Sequence, residues 1–251
     1  MINVLICGIG GKMGASVLSL LSQDGEAKAV CGVDSRNGEQ FGVPVYKNFD
    51  DVKEKVDVVI DFSSPAALKG ELDWAVKNGV PVVLATTGYN ENDIKLIEAA
   101  SKKTAVFRTA NFSLGVNLLV KLVREAAQAL GEKFDVEIIE KHHNQKVDAP
   151  SGTAIMLAES ANSAYGGSKP YLYGRQGAVG KRGNEIGIHA VRGGTIVGEH
   201  DVLFAGEDEV ITLSHSAQSK RVFAAGAIKA AKWIVGKPCG KYDMTDVLEN
   251  L

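Results

Sequence analysis

The chain has 251 residues, enough for one or two domains and a substantial buried core. Apolar residues make up 45% and charged residues 23%, ordinary globular proportions that exclude a disordered tail and a collagen-like rod. With 28 Lys and Arg against 30 Asp and Glu, the formal charge is −2, which gives no basic footprint for a nucleic-acid partner.

The first hundred residues alternate two signals. Short β-branched runs lie at 3–7, 28–33, 56–62, 81–86 and 104–109, and helical spacing appears at 13–22, 66–78 and 92–102. The runs are apolar throughout, as expected of strands covered on both faces, so this half predicts an α/β fold with a doubly wound parallel sheet. After Asn111 the pattern changes. A helix is expected at 114–130, an alternating strand at 134–140 and a helix at 151–164, entered through Pro150. A Gly-, Arg- and Lys-rich loop covers 174–183. Strand-like runs at 186–192, 200–204 and 210–216 are separated by Arg192-Gly193-Gly194 and Gly206-Glu207-Asp208, which predicts hairpins in a second, mixed or mostly antiparallel sheet. A last helix at 221–235 is expected to pack back onto the first domain.

Glycine is abundant, with 28 residues and no repeat, which suggests tight turns and close backbone approach to a ligand. Cys7, Cys31 and Cys239 are too scattered for a disulfide framework, so a reducing, cytoplasmic compartment is expected. Met1 runs directly into a strand-like segment with no basic stretch or cleavage site, so no leader is expected. No apolar run approaches about 20 residues, so no helix is expected to span a membrane.

The sharpest local motif follows the first strand: Gly8-Ile9-Gly10-Gly11-Lys12-Met13-Gly14. Met13 stands where the usual dinucleotide fingerprint has its third glycine, but Gly8, Gly11 and Gly14 fit a spacing of three. Such a turn admits a pyrophosphate to bare backbone at a helix N-terminus. The second strand ends at Asp34, where a carboxylate can accept from an adenosine ribose. Two further strand ends, Ala85-Thr86-Thr87-Gly88 and Thr109-Ala110-Asn111-Phe112, belong to the same expected crevice or are plain turns. Asp61 is either a helix cap or a ligand contact.

The second constellation runs from Glu140 to Thr153, leaving a strand, crossing a polar loop and entering a helix. His142 and His143 are two of five histidines, and Lys146 shares their loop. Imidazole titrates near neutrality, and a lysine beside it can be tuned to donate a proton. Ser151-Gly152-Thr153 offers amide and hydroxyl donors to a carboxylate. Adjacent side chains on an extended segment diverge and no carboxylate pair stands at ligand spacing, so no metal is expected. Arg175, Lys181 and Arg182 form either a solvated loop face or a lid, and Lys220 with Arg221 either surface charges or carboxylate clamps.

These segments, together with Val191–His200, 202–206, 223–227 and 242–248, resemble the 4-hydroxy-tetrahydrodipicolinate reductase (dihydrodipicolinate reductase) family along nearly the whole chain. The resemblance implies a Rossmann-like domain at 1–113 plus 222–251 and an α+β substrate-binding and tetramerisation domain of mixed sheet at 114–221. It implies hydride transfer from NADH or NADPH to a small cyclic dicarboxylate with loss of water, giving tetrahydrodipicolinate for lysine biosynthesis, by a cytoplasmic homotetramer. Under it His142 is proton donor or acceptor and Lys146 proton donor, while His143, Gly152 and Thr153 hold substrate carboxylates. Gly8, Ile9, Gly10, Gly11, Lys12, Met13, Asp34, Ala85, Thr86, Thr87, Thr109, Ala110, Asn111 and Phe112 meet the cofactor. Asp34 suits the free ribose of NADH, whereas Arg36 suits the 2′-phosphate of NADPH. Lys220 stands where some relatives carry arginine. A different nicotinamide-dependent dehydrogenase and a non-catalytic nucleotide sensor are the competing readings; the histidine–lysine loop disfavours both.

Overall fold

The first apolar run forms β1 (Ile2–Cys7), an interior strand of a seven-stranded sheet in the computed structural model, which describes residues 1–35 and 42–250. The sheet continues with β2 (Ala27–Val33), β3 (Val45–Tyr46), β4 (Val58–Asp61), β5 (Val82–Leu84) and β6 (Ala105–Arg108). The chain returns at its far end to add β12 (Gly240–Tyr242) beside β6. The order is β12-β6-β5-β4-β1-β2-β3 and every pairing is parallel. The winding direction reverses between β1 and β4, and a ligand crevice is expected beyond the carboxyl ends of those strands.

Helices α1 (Lys12–Leu21), α2 (Leu68–Asn78), α3 (Glu91–Ser101) and α6 (Arg221–Ile234) cover this sheet, and the short α7 (Met244–Glu249) packs on α6. Helices α2 and α3 pack together and, with their own Leu72 and Ile97, bury Leu5, Cys31, Val59, Val82 and Leu84 of the sheet, while α1 packs on α6. Each fully buried side chain of this kind contributes about 1.5–3 kcal/mol. Helix α3 starts one residue earlier than its periodicity suggests because Asn90 and Asp93 form a capping box: Asn90 Oδ1 accepts from the Asn92 and Asp93 amides at 2.8 and 3.1 Å, and Asp93 Oδ2 accepts from the Asn90 amide at 2.9 Å.

Packing divides the chain into two units, Met1–Ser113 with Arg221–Leu251, and Leu114–Lys220. The second unit contains α4 (Leu114–Leu130), β7 (Asp135–His142), α5 (Gly152–Ala164), β8 (Tyr171–Tyr173), β9 (Ile186–Arg192), β10 (Glu199–Ala205) and β11 (Val210–Ser216). Its sheet order is β11-β10-β7-β9-β8; β7 is antiparallel to β10 and parallel to β9. Leu119, Val123 and Ala127 of α4 and Ala154, Leu157 and Ala161 of α5 close over Val136, Ile138, Ile188, Val202 and Phe204.

One expected hairpin is not there. Strands β10 and β11 do form a hairpin around Gly206 and Asp208, but β9 and β10 lie on opposite sides of β7. The Arg192-Gly193-Gly194 turn is therefore an arch over the end of β7. The Gly193 amide donates to the His142 carbonyl at 2.9 Å, and the Asn144 amide donates to the Gly194 carbonyl at 3.2 Å. A glycine turn between two strands specifies a reversal, not adjacency, and β7 takes the middle position. Strands β3, β8 and β12, at two or three residues each, are too short to show a period and were not expected. Among the described residues no helix is long and apolar enough to cross a membrane.

Candidate active site

In the first unit the glycine turn leaves β1 and enters α1. Gly8 has φ +77°, and a Cβ there would lie 2.7 Å from the Phe62 carbonyl oxygen. A Cβ on Gly14 would strike the Gly8 carbonyl. Gly14, one residue past the usual third position, is thus the glycine that lets helix and turn touch. The Gly11 amide closes the turn onto the Gly8 carbonyl at 2.9 Å. Asp34 is buried and its Oδ2 accepts from the Gly10 amide at 2.8 Å, so the acid ending β2 also holds the turn.

A cavity of about 480 Å³ opens against this turn, lined by Gly8, Gly11, Val33, Asp34, Ser35, Lys47, Phe62, Ser63, Ser64, Ala66 and Ala67. The size and the bare backbone fit a dinucleotide. The side chain of Ile9 is fully buried, and a Cβ on Gly32 would lie 2.7 Å from it, so only the Ile9 backbone can face a ligand. Lys12 is exposed at the first turn of α1 and Met13 is half-buried. Arg36 lies outside the described residues.

The wall formed by Phe62, Ser63 and Ser64 was not among the expected contacts, and Asp61 explains it. Asp61 Oδ1 accepts from the Ser63 amide at 2.8 Å and from the Ser63 hydroxyl at 2.5 Å, and its Oδ2 accepts from the Tyr89 hydroxyl at 3.2 Å. The residue is buried, so it shapes the wall from behind and neither caps a helix nor lines the cavity. A strand-terminal Asp two residues before a serine was the available signal. Behind it, among the described residues, one group of potential metal ligands comes together: Cys7, Asp61 and Glu71 place one ligand atom each within 4.8 Å of one another. Both Asp61 oxygens are already engaged, and Glu71 is fully buried with neither oxygen hydrogen-bonded. Burial, with Asp61 adding to it, holds Glu71 well above the usual carboxylate range, which makes it a neutral acid.

The other expected strand ends are mixed in character. Ala85 and Thr86 are half-buried and Thr87 is exposed after β5; the Ala85 amide donates to the Asp61 carbonyl at 2.9 Å. Thr109 and Asn111 are half-buried and Ala110 is exposed. Phe112 is buried against Phe62 and Phe107, and its carbonyl sits where a Cβ on Gly226 of α6 would be. Its ring is therefore a packing element, with only its immediate neighbours available to a ligand.

In the second unit, Val136, Ile138 and Glu140 take successive inward positions on β7, so a carboxylate stands where the alternation calls for an apolar residue. Its partners come from three directions. His142 Nδ1 lies 2.7 Å from Glu140 Oε2; Arg192 Nη1 and Nη2 reach Oε2 and Oε1 at 2.7 Å each; and the Ser151 amide reaches Oε1 at 2.9 Å. Burial opposes the charge on Glu140, yet these donors lower its titration below the ordinary value and keep it ionised. His200 pairs with Glu140 across β10, stacks edge-on to His142 at 5.2 Å and meets the Ser151 hydroxyl at 2.8 Å. Burial, then the neighbouring His142, pulls His200 down to about 4, so it is neutral.

Lys146 is mostly buried and held by Asp148, both of whose oxygens lie 2.8 Å from Nζ. His143 Nδ1 is buried without a hydrogen-bond partner. Gly152 opens α5 with nothing within 4 Å of its would-be Cβ, and Thr153 follows it in the first turn, where amides lack intrahelical acceptors. The loop 142–153 thus collects an imidazole, an ammonium and a helix N-terminus. Glu140, Arg192 and His200 were not among the expected site residues; the inward position of Glu140 on an alternating strand was a signal, whereas its link to Arg192 spans 52 positions.

Arg175 and Arg182 are not a free loop face. Both bind Glu137 on the opposite face of β7, Arg175 through Nη1 and Nη2 at 3.0 and 2.8 Å and Arg182 through Nε at 3.0 Å. Burial opposes the charge of Glu137, but Arg175, His189 and Arg182 bring it down to about 2. Lys181 and Lys220 are exposed.

Residues 2–112 match the family model for the N-terminus of dihydrodipicolinate reductase, and residues 115–248 match the one for its C-terminus. This chain belongs to the dihydrodipicolinate reductase family. It is 52% identical over 251 residues to the 4-hydroxy-tetrahydrodipicolinate reductase of Caldanaerobacter subterraneus subsp. tengcongensis, covering 100% of this chain and 99% of that one. It is 42% identical over 250 residues to the enzyme of Clostridium tetani, covering 100% and 98%. Among solved structures, dipicolinate-bound dihydrodipicolinate reductase from Paenisporosarcina sp. TG-14 superposes with a TM-score of 0.80 at 27% identity, over 97% of each chain. A probable dehydrogenase from Thermotoga maritima, at 15% identity and a TM-score of 0.64 over 98% and 92%, shares the fold. The Rossmann-like sheet with a second, mixed sheet is thus the architecture of this reductase family, whose members are oxidoreductases.

Proposed function

We propose that this chain reduces 4-hydroxy-tetrahydrodipicolinate to tetrahydrodipicolinate with a pyridine nucleotide, in the diaminopimelate route to lysine. The observation that carries the reading is the loop 142–153, which carries His142, Lys146 and the Ser151-capped start of α5 on a member of this family. The bound nicotinamide supplies a hydride to the ring. The glycine turn from Gly8 to Met13, Asp34 and the strand ends at Ala85–Thr87 and Thr109–Phe112 receive the nucleotide. His143 and the Gly152-Thr153 turn take the carboxylates of a dianionic substrate, for which cationic and amide donors are suited.

Negative charge develops on the conjugated ring during reduction, and a positioned acid offsets it as it forms. His142 has Nδ1 committed to the ionised Glu140, so Nε2 is the atom that gives or takes a proton. Lys146 Nζ is a donor, released from Asp148 as a substrate carboxylate replaces that partner. Asp34 suits the free ribose of NADH, while Lys47, the only cation among the described residues lining the crevice, suits a 2′-phosphate. The same reading carries a cytoplasmic homotetramer without membrane or nucleic-acid partners. Exposed Val191, Val210 and Ile211 on the second sheet provide apolar surface for copies of the chain.

The test is loss of reduced-nicotinamide absorbance with substrate generated by coupled dihydrodipicolinate synthase, using NADH and NADPH in turn. Turnover with either nucleotide is expected; a folded, nucleotide-binding protein that consumes neither sinks the reading. The ratio of kcat/KM for the two nucleotides, repeated in Lys47→Ala and Arg36→Ala, assigns the preference. Light scattering reads the oligomeric state.

A further inference from the structure

We infer that Glu140, clamped by Arg192, is the positioning residue that sets the tautomer and orientation of His142; the inference rests on the function proposed above. A carboxylate with no solvent exposure is costly unless its oxygens are satisfied. Glu140 meets that demand with four contacts, and three of them have roles beyond its own neutralisation.

The contact with His142 Nδ1 decides chemistry. An ionised carboxylate only accepts, so the ring nitrogen facing it at 2.7 Å must carry the proton, and Nε2 becomes the exchanging atom. The contact with the Ser151 amide ties the same carboxylate to the start of α5, whose next residues are Gly152 and Thr153. The Arg192 fork fixes the plane of the carboxylate. Arg192 Nη2 also donates to the Asp148 carbonyl at 2.7 Å, and the Asp148 side chain holds Lys146. The Oε1 side of the same carboxylate also holds the helix opening and, through Arg192 Nη2, the loop bearing the lysine, contacts that a glutamine carbonyl oxygen retains, whereas the Oε2 side faces His142.

The surroundings leave Glu140 without a competitor for this role. Among the described residues, the charged and titratable groups seen against His142 are Glu140 from its own strand, Arg192 from β9 and His200 from β10, with His215 and Lys146 acting on His200 from β11 and the loop. His200 is held by the Ser151 hydroxyl and is neutral, so it packs the ring edge without supplying charge. Glu140 is the only acid among these groups.

Glu140→Gln keeps the shape and removes the charge. Its expected result is a roughly 100-fold fall in kcat, with substrate KM and nucleotide Kd within about threefold of the parent, as outer-shell losses of 10- to 100-fold suggest. Nitrogen NMR of the imidazole resonances, assigned by their absence in His142→Asn, is expected to show an Nδ1-protonated ring in the parent and a tautomer mixture in Glu140→Gln. In the double variant with His142→Asn, adding Glu140→Gln is expected to cost less than about threefold further, because residues acting as a unit are non-additive. An unchanged histidine spectrum, or a full 100-fold loss on top of His142→Asn, overturns the inference. The spectrum is read without turnover, so failure of the functional proposal and failure of this one are separable. Should Glu140→Gln not fold, Arg192→Lys, which loses the fork, is expected to lower kcat about tenfold and disturb the same resonances. No change in either also overturns it.

Discussion

The two units build their sites from opposite materials. In the first, the candidate nucleotide site is mostly backbone: Gly8 and Gly14 matter for the atoms they lack, and Asp34 holds the turn through the Gly10 amide. In the second, the candidate site is a network of side chains from β7, β9 and β10 and a backbone amide at the start of α5, centred on an ionised and buried Glu140. A backbone site is broken by adding atoms, and a side-chain network by removing charge or donors. The contrast teaches that damage to one should register as lost affinity and damage to the other as lost rate.

The largest expected effect tests that division directly. Lys146→Ala should lower kcat by about 10²- to 10⁴-fold, the usual worth of a positioned acid, with nucleotide affinity measured by titration calorimetry unchanged. A collapse of nucleotide affinity would place Lys146 elsewhere. Gly8→Ala should do the reverse: its Cβ meets the Phe62 carbonyl and its φ is positive, so nucleotide Kd should rise at least tenfold and stability fall by about 1–3 kcal/mol. Unaltered nucleotide binding in this variant would show that the turn is not the phosphate site.

Two pH-linked differences sharpen the comparison further. His200 titrates at about 4 in the fold against 6.5 when exposed, so the stability it contributes is present above pH 6.5 and lost as pH falls toward 4. The unfolding free energy from urea titration should fall across that window by an amount on the order of 3 kcal/mol, and His200→Gln should flatten the decline. Glu71 has the opposite sign. Its folded titration is raised, so its contribution is present below about pH 4.5 and lost as pH rises above it. Glu71→Met should therefore stabilise the protein by about 1–3 kcal/mol at neutral pH, where an unsatisfied hydroxyl and carbonyl oxygen disappear, and by less near pH 4.5. A melting temperature lowered equally at both pH values would mean that Glu71 has a partner in solution.

Much of the first unit was legible in the chain itself. The apolar runs of β1, β4 and β5, the glycine turn and Asp34 are local signals in which neighbours in sequence are neighbours in space. The loop 142–153 was legible for the same reason: its histidines, lysine and helix start are consecutive. What escaped was the second ring of contacts. Ser63 and Ser64 enter the crevice because β4 pairs beside β1, and Arg192 reaches Glu140 because β9 runs parallel to β7. The short strands and the arch at Gly193 escaped because pairing partners, not residue patterns, define them.

The chain by itself therefore determined the fold class, the two-part plan, the glycine turn after β1 and the histidine–lysine loop, since each depends on periodicity or spacing over a dozen residues. Tertiary structure alone decided that β7 separates β9 from β10, that Arg175 and Arg182 are pinned to Glu137, and that Glu140 is ionised beneath His142. The physical reason is the same in each case. A buried charge is set by the partners that surround it, and those partners are brought within hydrogen-bond reach by strand pairing across 38 to 52 positions of sequence.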